Sequence, residues 1–426
     1  MKLSKYNINV KYNDINILYN TLTRKYISYT SEKENLINNL MTNLDKAEYS
    51  LQEVNILKNL IGKNIIIQDE FDEIQQVQFL INKSTFQEEC FYLVIQPTLD
   101  CNFRCTYCYE EHKKVEFKTD TMEAILELVE KITKRISKLI LCWFGGEPML
   151  EFKKICELTS KFKDICSRNG CKYEAKMTTN GYLFSNDSIN MLEELCIKKI
   201  QITLDGYESY HDKKRPLANG MGTFKKIKEN LLKILDKNVL VILRLNVDEE
   251  NYYGVESLLE IIPTDKRKMI ILNMINLFQN NGKTTLNNLY KMAIDKGFIY
   301  YDTVNNYSRC EGTMKNSITI QPDGKLTCCS IAAENNFYFG KITNEGELNV
   351  NKAIYYAFQN ISPIDNQNCT ECIKLPMCLG GCKYGRYRKS DKNPCNRSDG
   401  MSLDEVIRMH YYSDLKNDKL MEGNII

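Results

Sequence analysis

Between Cys90 and Ile275 the sequence alternates short β-rich runs with helical stretches, and this alternation constrains the fold more than any other feature. The runs are FYLVIQP from Phe91, LILCWF from Leu139, YEAKMTTN from Tyr173, KIQITLDG from Lys199, LVILRLNV from Leu240 and MIILNMI from Met269. Apolar residues at helical spacing, such as Ile125, Leu128 and Ile132 or Ile155, Leu158 and Phe162, mark the helices between them. Alternation of this kind predicts a parallel sheet with right-handed crossovers. Six units rather than eight predict an α/β fold built on a partial (β/α)6 barrel of TIM-like type. Its active site should lie at the C-terminal strand ends, where the loops gather.

The flanking segments read differently. In residues 1 to 85, Ile8, Val10 and Tyr12 alternate with polar residues, Asn13-Asp14 signals a turn, and Ile15, Ile17 and Tyr19 resume the alternation. A β-hairpin follows from this pattern, with a third extended piece at Tyr26 to Tyr29. Leu36, Ile37, Leu40, Met41 and Leu44 then recur at helical spacing after Ser31, a candidate cap. Leu51, Val54, Leu57 and Leu60 repeat the spacing before Gly62, and Ile74, Val77 and Leu80 suggest a third helix. A small, winged-helix-like domain of this kind suits either a structural cap or a peptide-docking module. Residues 90 to 280 form the expected barrel and 281 to 309 a helical connection. Residues 310 to 426 form a cysteine-rich domain, with a hairpin turning at Pro322-Asp323-Gly324 and an amphipathic helix from Leu403 to Leu415.

Charge is balanced, 57 Lys and Arg against 55 Asp and Glu, and no apolar run approaches 18 residues. Neither a general nucleic-acid binder nor a membrane span is expected. Acidic residues from Asp69 to Glu73 also weigh against phosphate docking by the first domain. The first twenty residues lack the apolar core and cleavage site of a secretory signal, so a cytoplasmic, reducing location is expected. There, 17 cysteines are better explained by metal than by disulfides. Cys101, Cys105 and Cys108 form one tight group. Cys369, Cys372, Cys378 and Cys382 form another, with Cys310, Cys328, Cys329 and Cys395 nearby. Cys90, Cys142, Cys156, Cys166, Cys171 and Cys196 stand alone and read as small buried hydrophobes.

The sequence PTLDCNFRCTYCYE sets Cys101, Cys105 and Cys108 on a tight loop directly after the first barrel strand. Three thiolates so spaced can bind three irons of a four-iron cluster and leave the fourth without a protein ligand. Zinc is the main competing reading, although His112 is the sole local complement to the three thiols. A disulfide plus a free thiol is the third.

This C-x3-C-x2-C loop, with Tyr107 ahead of its third cysteine, resembles the signature of the radical S-adenosylmethionine (SAM) superfamily. Further matches come in order: Phe144-Gly145-Gly146-Glu147-Pro148 resembles the family's GGEP motif, then come TTNGYL with Thr179 and Asn180, Thr203 and Asp205 in QITLDG, and Arg244 and Asn246 in LRLNV. The resemblance implies a 5′-deoxyadenosyl radical that abstracts hydrogen from substrate, with the cofactor supplying the chemistry and the barrel the orientation. It implies that Gly145 and Gly146 lie against the methionine end of SAM and Glu147 meets its ammonium, with Asn180, Thr203 and Asn246 as ribose or carboxylate contacts.

The later cysteines, Cys369-x2-Cys372-x5-Cys378-x3-Cys382 and Cys395, preceded by Cys310-x13-Gly324-x4-Cys329, resemble the SPASM extension of these enzymes. That resemblance implies two auxiliary four-iron clusters, three [4Fe-4S] clusters in all. Cys310, Cys329 and Cys382 would hold the proximal one, with Cys328 as its fourth ligand or an open iron in its place; Cys369, Cys372, Cys378 and Cys395 would hold the distal one. The stretch from Leu204 to Phe224 resembles a segment of SPASM enzymes acting on peptides, which sets His211, Asp212 and Arg215 on a loop above the barrel mouth. The first 85 residues are similar to leader-recognition domains of peptide maturases, in which an edge strand pairs with an extended leader. The implied function is installation of crosslinks, above all cysteine thioethers, in a ribosomally made precursor peptide. An electron donor such as flavodoxin or ferredoxin is implied as well. The alternative is an anaerobic sulfatase-maturating enzyme that makes formylglycine, or another radical modification such as carbon–carbon crosslinking or epimerisation.

Overall fold

The computed structural model describes residues 1–278, 286–300, 310–388 and 401–417. The chain opens with β1 (Lys2–Leu3), β2 (Asn7–Tyr12), β3 (Ile15–Asn20) and β4 (Lys25–Thr30), followed by α1 (Glu34–Thr42), α2 (Leu51–Gly62), β5 (Ile66–Ile67) and α3 (Glu73–Thr85). β2, β3 and β4 form an antiparallel meander, with Asn13 at φ 51° in its first turn, and β1 pairs with β5. Ser50 caps α2 in a capping box with Glu53, and Asp72 caps α3. Ser31 does not cap α1: a single 3₁₀ turn over Ser31–Lys33 intervenes, and the Ser31 hydroxyl reaches Asp14 O instead (3.4 Å).

Six strand–helix units follow: β6 (Cys90–Ile95) and α4 (Thr119–Thr133), β7 (Lys138–Trp143) and α5 (Phe152–Arg168), β8 (Lys172–Thr179) and α6 (Asn186–Asn190), β9 (Ile197–Thr203) with α7 (Glu208–Lys214) and α8 (Phe224–Ile234), β10 (Leu240–Val247) and α9 (Val255–Glu260), and β11 (Ile270–Asn276) and α10 (Asn287–Asp295). The six strands are parallel neighbours in chain order. Their period-two pattern separates two faces. Phe91, Leu93 and Ile95 on β6, and Leu139, Leu141 and Trp143 on β7, are buried in the main apolar core with Ile125, Leu128, Ile155, Leu158 and Phe162 of the covering helices. Tyr92, Val94 and Cys142 alternate with them and face a cavity instead.

The sheet does not stop at β6. The segment SITI forms β12 (Ser317–Ile320), which pairs in parallel with β6, and β13 (Lys325–Thr327), β14 (Gly340–Ile342) and β15 (Leu348–Val350) extend it antiparallel into ten strands. The turn between β12 and β13 places Gly324 at φ +83°, a left-handed conformation that glycine adopts without penalty. The cysteine-rich segment is thus joined to the barrel sheet by backbone hydrogen bonds. The helix Leu403–Lys416 packs on the amino-terminal meander, with Leu403, Ile407 and Tyr411 against Val10, Ile17, Tyr19 and Tyr26. No helix among the described residues is long and apolar enough to cross a membrane.

Candidate active site

Cys101, Cys105 and Cys108 sit on the loop that leaves the C-terminal end of β6, and the chain braces this loop from two sides. On one side it runs beside the segment after α7: Arg104 N donates to Pro216 O (2.9 Å), Thr106 N to Lys214 O (2.9 Å) and Ala218 N to Asn102 O (2.9 Å). On the other lie Gly145 and Gly146, just past β7. A Cβ at Gly145 would fall 2.3 Å from Thr98 O, and one at Gly146 2.2 Å from Asp100 O, so only glycine lets the two backbones meet. Both positions have a local reason to be glycine, independent of any ligand.

Glu147 is fully buried. Its carboxylate accepts hydrogen bonds from Met149 N (2.9 Å), Thr179 Oγ1 (2.7 Å) and Asn180 N (2.7 Å), which clamps the end of β8 to the turn after β7. Burial pushes its pKa up, against these three donors. Asn180 in turn donates through Nδ2 to Asn102 Oδ1 (2.8 Å), tying β8 to the cysteine loop. Thr203 ends β9 in register with Arg244 of β10.

Tyr107 anchors the far side of the loop. Its hydroxyl bonds Asp205, and accepts from Arg215 Nη1 (3.0 Å) and Asn246 Nδ2 (3.1 Å). Asn246 N also donates to Asp205 Oδ1 (2.8 Å). His211 accepts from Asp205 N at Nδ1 (3.0 Å), and burial lowers its pKa to about 2, with the Arg215 charge adding to the effect. It is therefore a neutral imidazole. The sequence reading set His211, Asp212 and Arg215 on a loop above the barrel mouth. The structure corrects this: His211 and Asp212 lie on α7, Arg215 just follows it, and His211 and Arg215 are buried beneath the cysteine loop. Asp212 accepts from Thr223 N (2.7 Å) and Phe224 N (2.8 Å) at the start of α8. Replacing Arg215 by Gln should lower the midpoint of thermal unfolding by about 3 °C, since losing a buried, hydrogen-bonded charge costs about 3 kcal/mol and a chain of this length loses about 1 °C per kcal/mol. Differential scanning calorimetry checks it; an unchanged midpoint would mean that the guanidinium braces nothing.

The thiols carry the chemistry a cluster requires. Burial raises Cys101 to about 12 and also raises Cys105 and Cys108, so assembly of a thiolate-ligated cluster releases protons. Two buried donors beside them, Asn102 Nδ2 and Arg215 Nε, have no acceptor among the described residues. An anionic iron–sulfur cluster fits three thiols on one short loop flanked by unsatisfied donors.

Below the loop, one cavity of about 910 Å³ is lined from β6 through β12, so the sheet curves around it. Tyr92, Lys176, Lys199, Gln201, Arg244 and Asn273 face inward, none of them singled out from the sequence except Arg244. The available signal was polarity at alternate positions of otherwise apolar strands, as at Lys176 and Thr178 or Lys199 and Gln201. Lys176 forms an ion pair with Glu311. Burial pulls the ammonium down, but Glu311 outweighs it and holds the lysine above its ordinary pKa. Cys142, read as a buried hydrophobe, lines this cavity instead, and burial raises its thiol to about 12.

Cys310, Cys328 and Cys329 line the same cavity from the side of β12 and β13. Cys328 hydrogen-bonds Cys329, which pushes the first thiol up and the second down. Tyr384 lies within electrostatic reach of Cys328, Cys329 and Cys382, which gathers these thiols in one neighbourhood. Tyr109, one residue past Cys108, shares a hydrogen bond with Ser330, one past Cys329 (2.8 Å), so the two cysteine regions meet. Cys369 and Cys378 occupy a separate segment packed against the amino-terminal module, and Cys372 lies between them in sequence. Cys395 lies outside the described residues.

Residues 95–262 match the family model of the radical SAM superfamily. The chain carries a radical SAM domain. That domain supports binding of S-adenosylmethionine at an iron–sulfur cluster. The chain is 24% identical to the radical SAM cyclopropyl synthase TigE of Paramaledivibacter caminithermalis over 81% of each chain. It is 27% identical to a cysteine-type anaerobic sulfatase-maturating enzyme of Clostridium novyi, over 69% of this chain and 88% of that one. Its fold is similar to that of Streptococcus suis SuiB. The SuiB structure with S-adenosylmethionine matches with a TM-score of 0.53 at 14% identity, over 92% of this chain and 98% of that one. The SuiB structure with its precursor peptide SuiA matches with a TM-score of 0.51 at 14% identity, over 94% and 100%.

Proposed function

We propose that this enzyme is a maturase that crosslinks a precursor peptide, and that the bond it forms is a cysteine thioether. The observation that carries the reading is the single cavity that runs from the barrel strands to the thiols of Cys310, Cys328 and Cys329. A peptide side chain held there would lie beside Cys310, Cys328 and Cys329, a region suited to receive an electron, and the hydrogen bond of Tyr109 to Ser330 on that wall brings up the end of the cysteine loop suited to start radical chemistry. Cys101, Cys105 and Cys108 would hold the cluster that binds SAM. When bound, SAM supplies a 5′-deoxyadenosyl radical that abstracts a hydrogen atom.

The chain's own residues position and exclude. Tyr107, Asp205, Asn246 and Arg215 fix the cysteine loop against β9 and β10. Lys176, Lys199 and Arg244 outnumber Glu311 on the cavity wall, which favours an anionic group on the substrate or the negative charge of an auxiliary cluster. Cys310, Cys328, Cys329 and Cys382 would hold that cluster, and Cys369, Cys372, Cys378 and Cys395 a distal one. The amino-terminal meander and α1 to α3 would dock the leader. The structure of SuiB with its precursor peptide supports a peptide substrate.

Mass spectrometry of a co-expressed precursor tests the proposal. Each crosslink should make the peptide about 2 Da lighter, two hydrogens leaving through the cofactors, and the affected cysteine should resist alkylation. A loss of about 2 Da with every cysteine still alkylated would replace the thioether by a carbon–carbon bond, the reading that similarity to a cyclopropyl synthase favours. Conversion of a cysteine to formylglycine would support the sulfatase-maturating alternative, which similarity to such an enzyme keeps in view.

A further inference from the structure

Tyr6 carries a buried hydroxyl that finds no acceptor among the described residues. It lies between β1 and β2, its side chain is 1% exposed, and its oxygen makes no hydrogen bond to any of them. The side chains that enclose it come partly from far along the chain: Cys369, Leu375 and Leu379 join Leu22, Val77 and Ile81 around Tyr6 in one apolar cluster. Burying a hydroxyl without a partner costs about 1–3 kcal/mol, so a pocket built this way calls for an acceptor beyond those the described residues supply.

The neighbouring charges narrow what that acceptor can be. Glu73, Asp72, Cys372 and Cys378 lie within electrostatic reach of the phenol. The two carboxylates are already engaged. Glu73 accepts from Ser4 Oγ and from Lys5 N (3.0 Å), and Asp72 caps α3 through Ile74 N (2.9 Å) and Gln75 N (3.1 Å). The sulfurs remain. They also collect donors elsewhere: Arg386 Nη2 donates to Cys369 Sγ (3.2 Å) and Gly380 N to Cys378 Sγ (3.4 Å). Donors converging on sulfur are the usual surroundings of an iron–sulfur cluster, and each such bond favours the reduced, more negative form.

We infer that the Tyr6 hydroxyl donates a hydrogen bond to a sulfur of the distal cluster held by Cys369, Cys372 and Cys378, which makes the amino-terminal module one wall of that cluster's pocket and raises its reduction potential. The inference rests on the proposed cluster reading for these cysteines. It makes Tyr6 a positioning residue of the redox chain.

The test is a potentiometric titration, followed by electron paramagnetic resonance, of the anaerobically reconstituted full chain. The signal lost in Cys372→Ala identifies the distal cluster. In Tyr6→Phe the iron content should stay unchanged while the reduction equilibrium of that signal moves about tenfold toward the oxidised form, about 59 mV for one electron. Full iron with an unmoved potential overturns the inference and leaves the cluster reading intact. If Tyr6→Phe loses iron, 3-fluorotyrosine at position 6 decides, because it keeps the shape and sharpens the donor. The potential should then rise above that of the unaltered protein, and no change overturns the inference. If no signal depends on Cys372, the cluster reading fails and the inference falls with it.

Discussion

Replacing Cys101, Cys105 and Cys108 together by Ala should reduce formation of 5′-deoxyadenosine from SAM to background and remove about four irons and four sulfides per chain. The C-terminal cysteines should keep their share of metal. They lie on other segments, with Cys310, Cys328 and Cys329 on the cavity wall and Cys369 in a separate apolar cluster. Gly146→Ala probes the same loop without touching a thiol. Its new methyl group would meet Asp100 O at 2.2 Å, a backbone atom that cannot step aside without moving Cys101. That variant should lose the same iron while the remaining clusters persist. Iron and sulfide analysis together with product chromatography checks both variants. Persistent 5′-deoxyadenosine in the triple variant would mean that the catalytic cluster sits elsewhere.

The parallel sheet was legible because its strands keep a strict two-residue period and its helices a wide apolar stripe, signals contained within short windows. The ten-stranded extension was not. SITI reads as half of a local hairpin, and it is one, yet its other edge pairs with β6, and nothing near residue 317 announces a partner so distant in sequence. Long-range pairing is invisible for the same reason at the segment from Leu204 to Phe224. Its charged residues read as part of a loop above the barrel mouth, whereas Arg215 finds Tyr107 and the backbone of residues 214 to 218 finds the cysteine loop.

The placement of the motifs at strand ends followed from their order, and the structure gives several of them second tasks. Glu147 holds β7 to β8, Asn180 holds β8 to Asn102, and Gly145 and Gly146 admit the loop backbone. A motif therefore records packing as much as chemistry. Tyr6 shows the converse. In the sequence it is one tyrosine among 26, ahead of a strand, and it acquires meaning only from an unpaired oxygen and two cysteines far along the chain.

Deleting residues 1 to 85 should yield an insoluble or iron-depleted protein rather than a barrel that has merely lost its docking site. The sequence suggested a separable module, and a separable module would leave SAM cleavage largely intact. The contacts argue otherwise. Thr21 Oγ1 donates to Ile373 O (2.6 Å), Lys5 Nζ to Thr370 O (3.2 Å), and Lys315 N to Thr85 O (2.8 Å). Tyr26 Oη donates to Asp414 (2.9 Å), and Arg408 Nε to Lys11 O (2.8 Å). Apolar burial adds more. Leu375 and Leu379 on one side, and Leu403 and Ile407 on the other, are covered by module residues. At about 1.5–3 kcal/mol for each buried side chain, exposing these four costs on the order of 6–12 kcal/mol. That is comparable with the whole stability of an ordinary domain, about 5–15 kcal/mol. Folding of the Cys369 segment is itself coupled to metal, so lost packing and lost iron should reinforce one another. Sedimentation, iron analysis and 5′-deoxyadenosine formation on the truncated chain measure the outcome. A soluble, fully iron-loaded truncation that cleaves SAM at the normal rate would show that the module is an appendage and that its contacts carry no stability. Point changes on the meander edge are then the better probe of leader docking, because they leave Tyr6, Leu22 and Val77 in place beneath the cysteines.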